Sequence, residues 1–209
     1  MTILVVVLVL ATAAAASLAR AESDGELLQR VETYLNGITT LEARFTQDNY
    51  DGSTSAGDFQ LKRPMLARIA YDDPATEVVA RGQKYQFWDA ETGQFFEGPV
   101  TASPMWVLLR PDVDLQDSFN IRALRRDGDR VFLTIQSSDD PGAGVLTLVF
   151  DDSTGDTGDG LALVQWYVRD AQGYMTHVRL EDVALGVPLA DDLFAIDHRA
   201  KIRPGTSNH

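Results

Sequence analysis

The sequence predicts a mainly β protein with helices (α+β), built around one strongly curved antiparallel sheet of about 11 strands. From Leu41 onward, apolar residues recur at every second position through most of the chain, which is the period of strands with one buried face. Short turn sequences such as Arg81-Gly82 and Asp127-Gly128 separate these stretches, as antiparallel hairpins require. Two apolar segments at helical spacing complete the pattern.

The N-terminus has the pattern of a secretory signal peptide over residues 1–21. An apolar run spans Ile3–Ala16, and Ala19 and Ala21 are small residues at the positions that precede a cut before Glu22. The alternative is a membrane anchor, but the run is shorter than the about 20 apolar residues of a membrane span. We therefore expect cleavage and export, with residues 22–209 folding as one domain because no linker composition interrupts them.

A first helix is predicted directly after this leader. Ser23 and Glu26 have the spacing of a capping box, and Asn36-Gly37 is a stop signal, which gives a helix of about 12 to 14 residues. One face of this helix carries a continuous apolar stripe, formed by Leu27, Leu28, Val31, Tyr34, Leu35 and Ile38.

The strands are predicted on both sides of a second, short helix. This helix begins at Ser103, which can act as its N-cap, and ends before Pro111. It has five consecutive large apolar residues, too many for one face, so some must meet a second apolar surface. The first strand begins at Leu41, and the others span 58–62, 67–71, 77–80, 84–89, 94–97, 120–126, 130–136, 145–150, 161–169 and 175–185.

Arg63 stands out within these strands. Alternation places it on the same face as Phe59 and Leu61, so a permanently charged guanidinium continues an apolar row. Burial there costs free energy unless other groups accept its hydrogen bonds. Pro64 removes a backbone donor and predicts a corner in the chain directly after Arg63.

Composition excludes several classes of function. The formal net charge of -13 disfavours binding to nucleic acid. The chain has no cysteine, which excludes disulfides, thiol nucleophiles and the lipid anchor of a lipoprotein. Its three histidines, His177, His198 and His209, lack metal-ligand spacing, so we predict no metal site of zinc or iron type.

No catalytic residues or cofactor are predicted. Asp156-Thr157-Gly158 matches a short aspartic-protease signature by chance, because it has no second copy. The same loop could attract calcium through Asp151, Asp152, Asp156 and Asp159, but it lacks the terminal glutamate of an EF-hand and is expected to be a solvated turn. The pattern leaves open whether the sheet encloses a packed interior or a ligand cavity.

Two short motifs carry a family resemblance. The first motif is Phe45-Thr46-Gln47, and the second is Lys62-Arg63-Pro64, which is followed by a strand that ends in an aromatic residue. Together with the signal peptide, these motifs resemble the LolA family of periplasmic carriers of outer-membrane lipoproteins. The resemblance extends from about Leu27 to Ile196. It implies an incomplete antiparallel barrel with a helical lid, the LolA/LolB-like fold, whose interior holds acyl chains. The related receptor LolB carries a lipid anchor, which this chain cannot have.

The resemblance also implies roles for particular residues and partners. Arg63 would be the latch that holds the lid shut and releases it when cargo enters. The partners would be lipoprotein acyl chains, an inner-membrane ABC transporter (LolCDE) and an outer-membrane acceptor such as LolB, with the carrier a monomer in the periplasm. The implied cavity residues are Leu35, Ile38, Met105 and Leu108 in the lid and Phe45, Phe59, Leu61, Ile69 and Tyr71 in the wall.

The sequence departs from the family pattern at three positions. Ala67 and Ile69 stand where the family usually places aromatic residues, and Trp106 stands where it often has a smaller aliphatic one. Two rival functions stay open. One is a carrier of another amphiphile such as a glycolipid, and the other is a periplasmic sensor or interaction module with a filled interior.

Overall fold

A computed structural model describes residues 22–153 and 160–196 of the chain. The first element is the helix α1 (Asp24–Gly37), and a short helix α2 (Leu115–Ser118) lies near the middle of the chain. Four 3₁₀ helices cover Val100–Ala102, Pro104–Leu109, Pro141–Ala143 and Asp191–Phe194. No helix among these described residues is long and apolar enough to cross a membrane.

Eleven strands form one antiparallel sheet, which confirms the predicted fold class. The sheet order is β6-β5-β4-β3-β2-β1-β11-β10-β9-β8-β7, so each strand pairs with its sequence neighbour except that β1 pairs with β11. The strands are β1 (Thr40–Asp48), β2 (Thr54–Lys62), β3 (Leu66–Tyr71), β4 (Thr76–Arg81), β5 (Lys84–Asp89), β6 (Gln94–Pro99), β7 (Phe119–Asp127), β8 (Arg130–Ser137), β9 (Val145–Asp151), β10 (Ala162–Arg169) and β11 (Met175–Leu185).

The sheet is strongly curved and remains open. Phe59 in β2 and Trp166 in β10 are three strand spacings apart, about 14 Å in a flat sheet. Their ring centroids are nevertheless 5.3 Å apart, because the sheet folds around its concave face. β6 and β7 are the two edges, and the segment between them carries two of the 3₁₀ helices and α2. The result is an incomplete barrel.

Helix α1 fills one part of the concave face. Its capping box is present as predicted: the Glu26 amide donates to Ser23 Oγ (3.3 Å), and the Ser23 amide donates to Glu26 Oε2 (2.8 Å). Tyr34 is buried, its ring meets Phe150 of β9 edge-on at 5.6 Å, and its hydroxyl accepts a hydrogen bond from the Leu163 amide of β10 (2.8 Å). The apolar stripe of α1 is therefore buried against this part of the sheet.

A second, smaller core lies apart from the main one. We name it the outer cluster; it consists of Val79, Trp88, Leu189, Phe194 and Ile196. The C-terminal segment that follows β11 contributes three of these residues and packs over β3 and β4. Lys62 attaches this segment to β2, since its ammonium group donates to the Leu189 carbonyl (2.7 Å) and to Asp191 (2.7 Å).

The remaining predictions for individual elements differ mainly at their ends. The strand predicted from Asp58 begins at Thr54, because the Gly- and Ser-rich segment before it still pairs with β1. The short central helix is a 3₁₀ helix over Pro104–Leu109. The corner predicted at Pro64 is present, and Met65 there adopts a left-handed conformation with φ of 70°. The predicted signal peptide lies outside the described residues.

Candidate functional site

An apolar cavity of about 380 Å³ lies in the concave face of the sheet, beside α1. This volume is within the range of about 300–1,000 Å³ that is usual for small-ligand sites. β1 to β5, β10, β11 and the 3₁₀ helices between β6 and α2 contribute to it. The lining residues are Phe45, Gln47, Phe59, Leu61, Ala67, Ile69, Tyr71, Val78, Ala80, Tyr85, Val100, Ser103, Met105, Trp106, Leu108, Leu109, Trp166, Val168, Thr176 and Val178.

The 3₁₀ helix Pro104–Leu109, which we call the lid segment, covers part of this cavity. Ser103 caps it, accepting a hydrogen bond from the Met105 amide on Oγ (3.3 Å), and Pro104 occupies its first turn. Val107 is fully buried without lining the cavity, whereas Met105 and Leu108 do line it. The excess of apolar residues is thus divided between the packed core and the cavity.

The Arg63 guanidinium lies between the end of α1 and the end of the lid segment. It donates to the Arg110 carbonyl through Nε (3.1 Å) and Nη2 (2.6 Å), and through Nη1 to the Leu35 carbonyl. Nη2 also reaches Asn36 Oδ1 (3.3 Å). The hydrogen-bond acceptors that the sequence required are therefore backbone carbonyls of two separate segments, together with the side chain of Asn36.

The electrostatic setting of Arg63 explains why a cation is suited to this place. Leu35 is in the last turn of α1, where carbonyl groups lack helical partners and the helix dipole favours positive charge. That turn contains no basic residue of its own. Burial lowers the pKa of Arg63, and the charge of Asp112 opposes this shift, so the guanidinium stays charged.

Backbone contacts join the same corner to the lid segment. The Met65 amide donates to the Leu109 carbonyl (2.9 Å), and the Gly82 amide donates to the Met65 carbonyl (2.9 Å). Asn36 adds a reciprocal pair, because its Nδ2 donates to the Val113 carbonyl and its Oδ1 accepts from the Val113 amide, both at 2.9 Å. α1, the lid segment and the turn after β2 therefore meet at one place.

Aromatic residues form the opposite wall. Phe45 of β1 and Tyr71 of β3 meet edge-on, with ring centroids 5.3 Å apart, across Gly57 of β2. A Cβ atom at Gly57 would lie 2.9 Å from the Phe45 ring and 2.1 Å from the Ala70 carbonyl oxygen. Only glycine allows this contact between the two rings.

Polar groups occur together at one end of the cavity. The Tyr71 hydroxyl donates to Gln47 Oε1 (3.1 Å), and Gln47 Nε2 donates to Asn49 Oδ1 (2.6 Å). Thr176 of β11 lines the same end. Burial raises the pKa of Tyr71, with the hydrogen bond to Gln47 opposing the shift, so the phenol stays protonated and can donate.

The structure places the predicted site residues in two groups. Met105 and Leu108 of the predicted lid line the cavity, as do the predicted wall residues Phe45, Phe59, Leu61, Ile69 and Tyr71. Leu35 and Ile38 do not. They are 1% and 3% exposed in the main core, because the stripe of α1 packs against the sheet instead of facing the void.

Other lining residues were not predicted from the sequence. Trp166 and Val168 of β10 face the cavity together with Val178 of β11, and Gln47 and Thr176 add its polar end. Alternation alone shows that these residues share faces of their strands. The pairing of β1 with β11, whose partner residues are 129 to 144 positions apart in the sequence, is what brings the two walls together.

No metal-binding group of three or more His, Asp or Glu side chains occurs within residues 22–153 and 160–196. Asp151 pairs with Arg130 (3.1 Å), and Asp152 pairs with Arg30 and Arg126. These two carboxylates, considered above as calcium ligands, are thus held by guanidinium groups. Asp156, Asp159 and the Asp-Thr-Gly sequence lie outside the described residues, as do His198 and His209.

Comparisons with known proteins identify the family of this chain. Residues 36–197 match the family described as outer membrane lipoprotein carrier protein LolA. An outer-membrane lipoprotein carrier protein of Methylococcus capsulatus is 27% identical over 79% of this chain and 80% of its own. The corresponding protein of Azotobacter vinelandii is 27% identical over 91% of both chains. A LolA superfamily structure from Nitrosomonas europaea has a TM-score of 0.43 at 9% identity, covering 81% of this chain and 98% of its own.

The family match covers most of the chain, including both motifs, the lid segment and every residue that lines the cavity. The chain therefore belongs to the LolA family of outer membrane lipoprotein carrier proteins.

Proposed function

We propose that this protein is a periplasmic chaperone that takes up the acyl chains of lipoproteins released from the inner membrane and delivers them to the outer membrane. The observation that carries the proposal is the apolar cavity beside a segment held by Arg63. Its partners are the inner-membrane ABC transporter LolCDE and an outer-membrane acceptor such as LolB. It acts as a monomer, without a cofactor or catalytic residues. A signal peptide at residues 1–21 is removed, and residues 22–209 form the carrier.

Burial of hydrocarbon supplies the driving force. Each methylene transferred from water into the cavity contributes roughly 0.8 kcal/mol, so part of an acyl chain offsets extraction from a membrane. The walls that would receive it are Phe45, Phe59, Leu61, Ile69 and Tyr71, with Met105 and Leu108 above. Leu35 and Ile38, in the adjacent core, support the lid segment instead of touching the chain.

Arg63 keeps this binding reversible. In the closed state its guanidinium donates to carbonyls of α1 and of Arg110, and the hydrogen bonds to Arg110 break if the lid segment moves away. The cargo must repay that loss, so its net affinity is reduced and release remains feasible. A carrier between two membranes requires such moderate affinity.

Two measurements test the function. The first is mass spectrometry of material that copurifies with the protein from a periplasmic extract. Triacylated protein supports the proposal, whereas free lipid alone supports a carrier of another amphiphile. The second uses tryptophan fluorescence, since Trp106 and Trp166 line the cavity and Trp88 lies in the outer cluster.

A fatty acid with bromine on its chain should quench the tryptophans of the cavity. In the double variant Trp106→Phe with Trp166→Phe, only Trp88 remains and quenching should be lost. Persistent quenching in that variant places the ligand outside the cavity and contradicts the proposal.

A further inference from the structure

Three of the polar residues that line the cavity lie together at one end of it. Gln47 is two residues beyond Phe45 in β1, and Thr176 is two residues beyond Val178 towards the same end, as the pairing of β1 with β11 shows. The Tyr71 hydroxyl reaches this end through its hydrogen bond to Gln47. We call these three residues, Gln47, Tyr71 and Thr176, the polar end.

The end of β2 opposite to the polar end is apolar and buried. Leu61 and Leu108 are 0% and 3% exposed there, and Leu109 is bonded through its carbonyl to the Met65 amide at the corner after β2. The residues of the polar end are all partly exposed. The other two hydroxyl groups of the lining, those of Ser103 and Tyr85, lie on the side of the lid segment and β5. Between Thr176 and Leu61, a ligand that has one polar terminus and one apolar terminus would match the cavity in one orientation only.

The polar end has unused hydrogen-bond donors. Gln47 donates one of its two amide hydrogens to Asn49, and the other amide hydrogen is free to donate to a ligand. The Thr176 hydroxyl makes no hydrogen bond to any residue in the described part of the chain. The Tyr71 oxygen, which donates to Gln47, keeps its capacity to accept.

The charge of the lining restricts the chemistry of the ligand. None of the lining residues is Lys, Arg, His, Asp or Glu, so the cavity offers no counter-ion for a phosphate or an ammonium group. The ligand groups that the cavity can match are therefore uncharged hydrogen-bond acceptors. An ester or amide carbonyl buried without a donor would cost free energy, and Thr176 and Gln47 supply donors where such a group would enter.

We propose that the polar end is a subsite for the ester and amide carbonyl groups of an acylated head group, and that it orients the acyl chain with its methyl terminus towards Leu61 and Leu108. The inference rests on the proposed function, because it assumes that the cavity takes up acyl chains. The acylated N-terminus of a lipoprotein carries both kinds of carbonyl group, and an acylglycerol carries the ester carbonyl alone.

The test compares two probes with the same chain length, a 1-acylglycerol and the corresponding 1-O-alkylglycerol, by displacement of a fluorescent fatty acid. The wild-type protein should bind the ester about fivefold more tightly than the ether, the effect of one hydrogen bond. Thr176→Val should remove this preference and leave the affinity for the ether unchanged, and Thr176→Ser should restore it.

Thr46→Val is the matched control. Thr46 adjoins Gln47 in β1 but points to the opposite face, where its hydroxyl lies 3.4 Å from Glu181. This variant should keep the wild-type preference for the ester. If Thr176→Val and Gln47→Leu both keep it as well, the subsite assignment is wrong.

A synthetic triacylated lipopeptide distinguishes the two sources of the carbonyl group. An equal loss of affinity for the lipopeptide and the acylglycerol in Thr176→Val supports the assignment for protein cargo, and a loss confined to the acylglycerol overturns it. If the wild-type protein binds no acyl probe at all, the carrier function itself fails. If the wild-type protein binds the 1-acylglycerol and the 1-O-alkylglycerol with equal affinity, only the subsite assignment fails.

Discussion

The guanidinium of Arg63 donates a hydrogen bond to the carbonyl oxygen of Leu35 in the last turn of α1. The same side chain bonds to the Arg110 carbonyl at the end of the lid segment. One residue at the end of β2 thus holds together two segments that are remote in sequence. Separation of the two segments would remove these acceptors from a partly buried cation, which costs free energy.

Arg63→Leu should preserve the fold and increase retention of acyl cargo. The closed, empty state loses its charge-assisted hydrogen bonds, each worth about 1.5–3 kcal/mol, so the bound state becomes relatively more favourable. We expect the affinity for a fluorescent fatty acid to rise by about tenfold or more. Transfer of that probe to lipid vesicles should slow by a similar factor.

Lys62→Leu is the control for this experiment. Lys62 is adjacent to Arg63 but binds the C-terminal segment at Leu189 and Asp191. The Lys62→Leu variant should keep the affinity for the fluorescent fatty acid and the rate of its transfer to vesicles close to those of the wild-type protein. Transfer kinetics in Arg63→Leu that equal those of the wild-type protein would contradict the role of Arg63 as a latch.

Ala67→Phe should reduce the capacity of the cavity. Ala67 lines the cavity on β3, opposite Leu61 and Ala80 of the neighbouring strands, so a phenyl ring there occupies space that is now empty. Saturation binding should show a shift in preference towards shorter acyl chains. Ala70→Phe, three residues further along the same strand and facing away from the cavity, should keep the wild-type chain-length preference.

Tyr34→Phe should destabilise the fold without altering the cavity. The change removes the acceptor for the buried Leu163 amide, and a buried donor without a partner costs about 1–3 kcal/mol. Urea unfolding followed by circular dichroism gives this free energy. Tyr50→Phe is the comparison, because Tyr50 is 65% exposed, and its effect should be below about 0.5 kcal/mol. Equal unfolding midpoints in the two variants would refute this assignment.

His177 should make stability depend on pH near neutrality. Burial and the charge of Arg179 lower its pKa in the folded state, although Asp48 acts in the opposite direction. The unfolded chain therefore binds the proton more readily, and the free energy of unfolding should fall as pH drops below the ordinary histidine value of about 6.5. The fall between pH 7.5 and about 5.5 should be smaller in His177→Gln. An unchanged slope in that variant would show that other groups cause the dependence.

The sequence was sufficient to predict most of the fold and part of the site. Alternation and turn residues predicted the 11-stranded sheet, and the position of Arg63 in an apolar row showed that it needed acceptors. Leu35 and Ile38 were harder to place. Helical spacing identifies the apolar face of α1, but it does not show whether that face meets a packed sheet or a void.

The polar end could not be predicted for a different reason. Gln47 and Thr176 come together only through the pairing of β1 with β11, which depends on how the whole sheet closes on itself. Alternation places Gln47 on the same face as Phe45 and Thr176 on the same face as Val178. It does not show that these two faces meet at one end of a cavity, because that depends on the register between β1 and β11, which local sequence patterns do not encode.

The gap between β6 and β7 gives the molecule a mechanical property that a closed barrel would lack. Because these two edges carry no ladder of hydrogen bonds between them, the sheet can uncoil slightly by bending alone, with every strand pair intact. The width of the cavity then changes by bending of the sheet, without the loss of backbone hydrogen bonds between strands. The same sheet can therefore accommodate ligands of different widths.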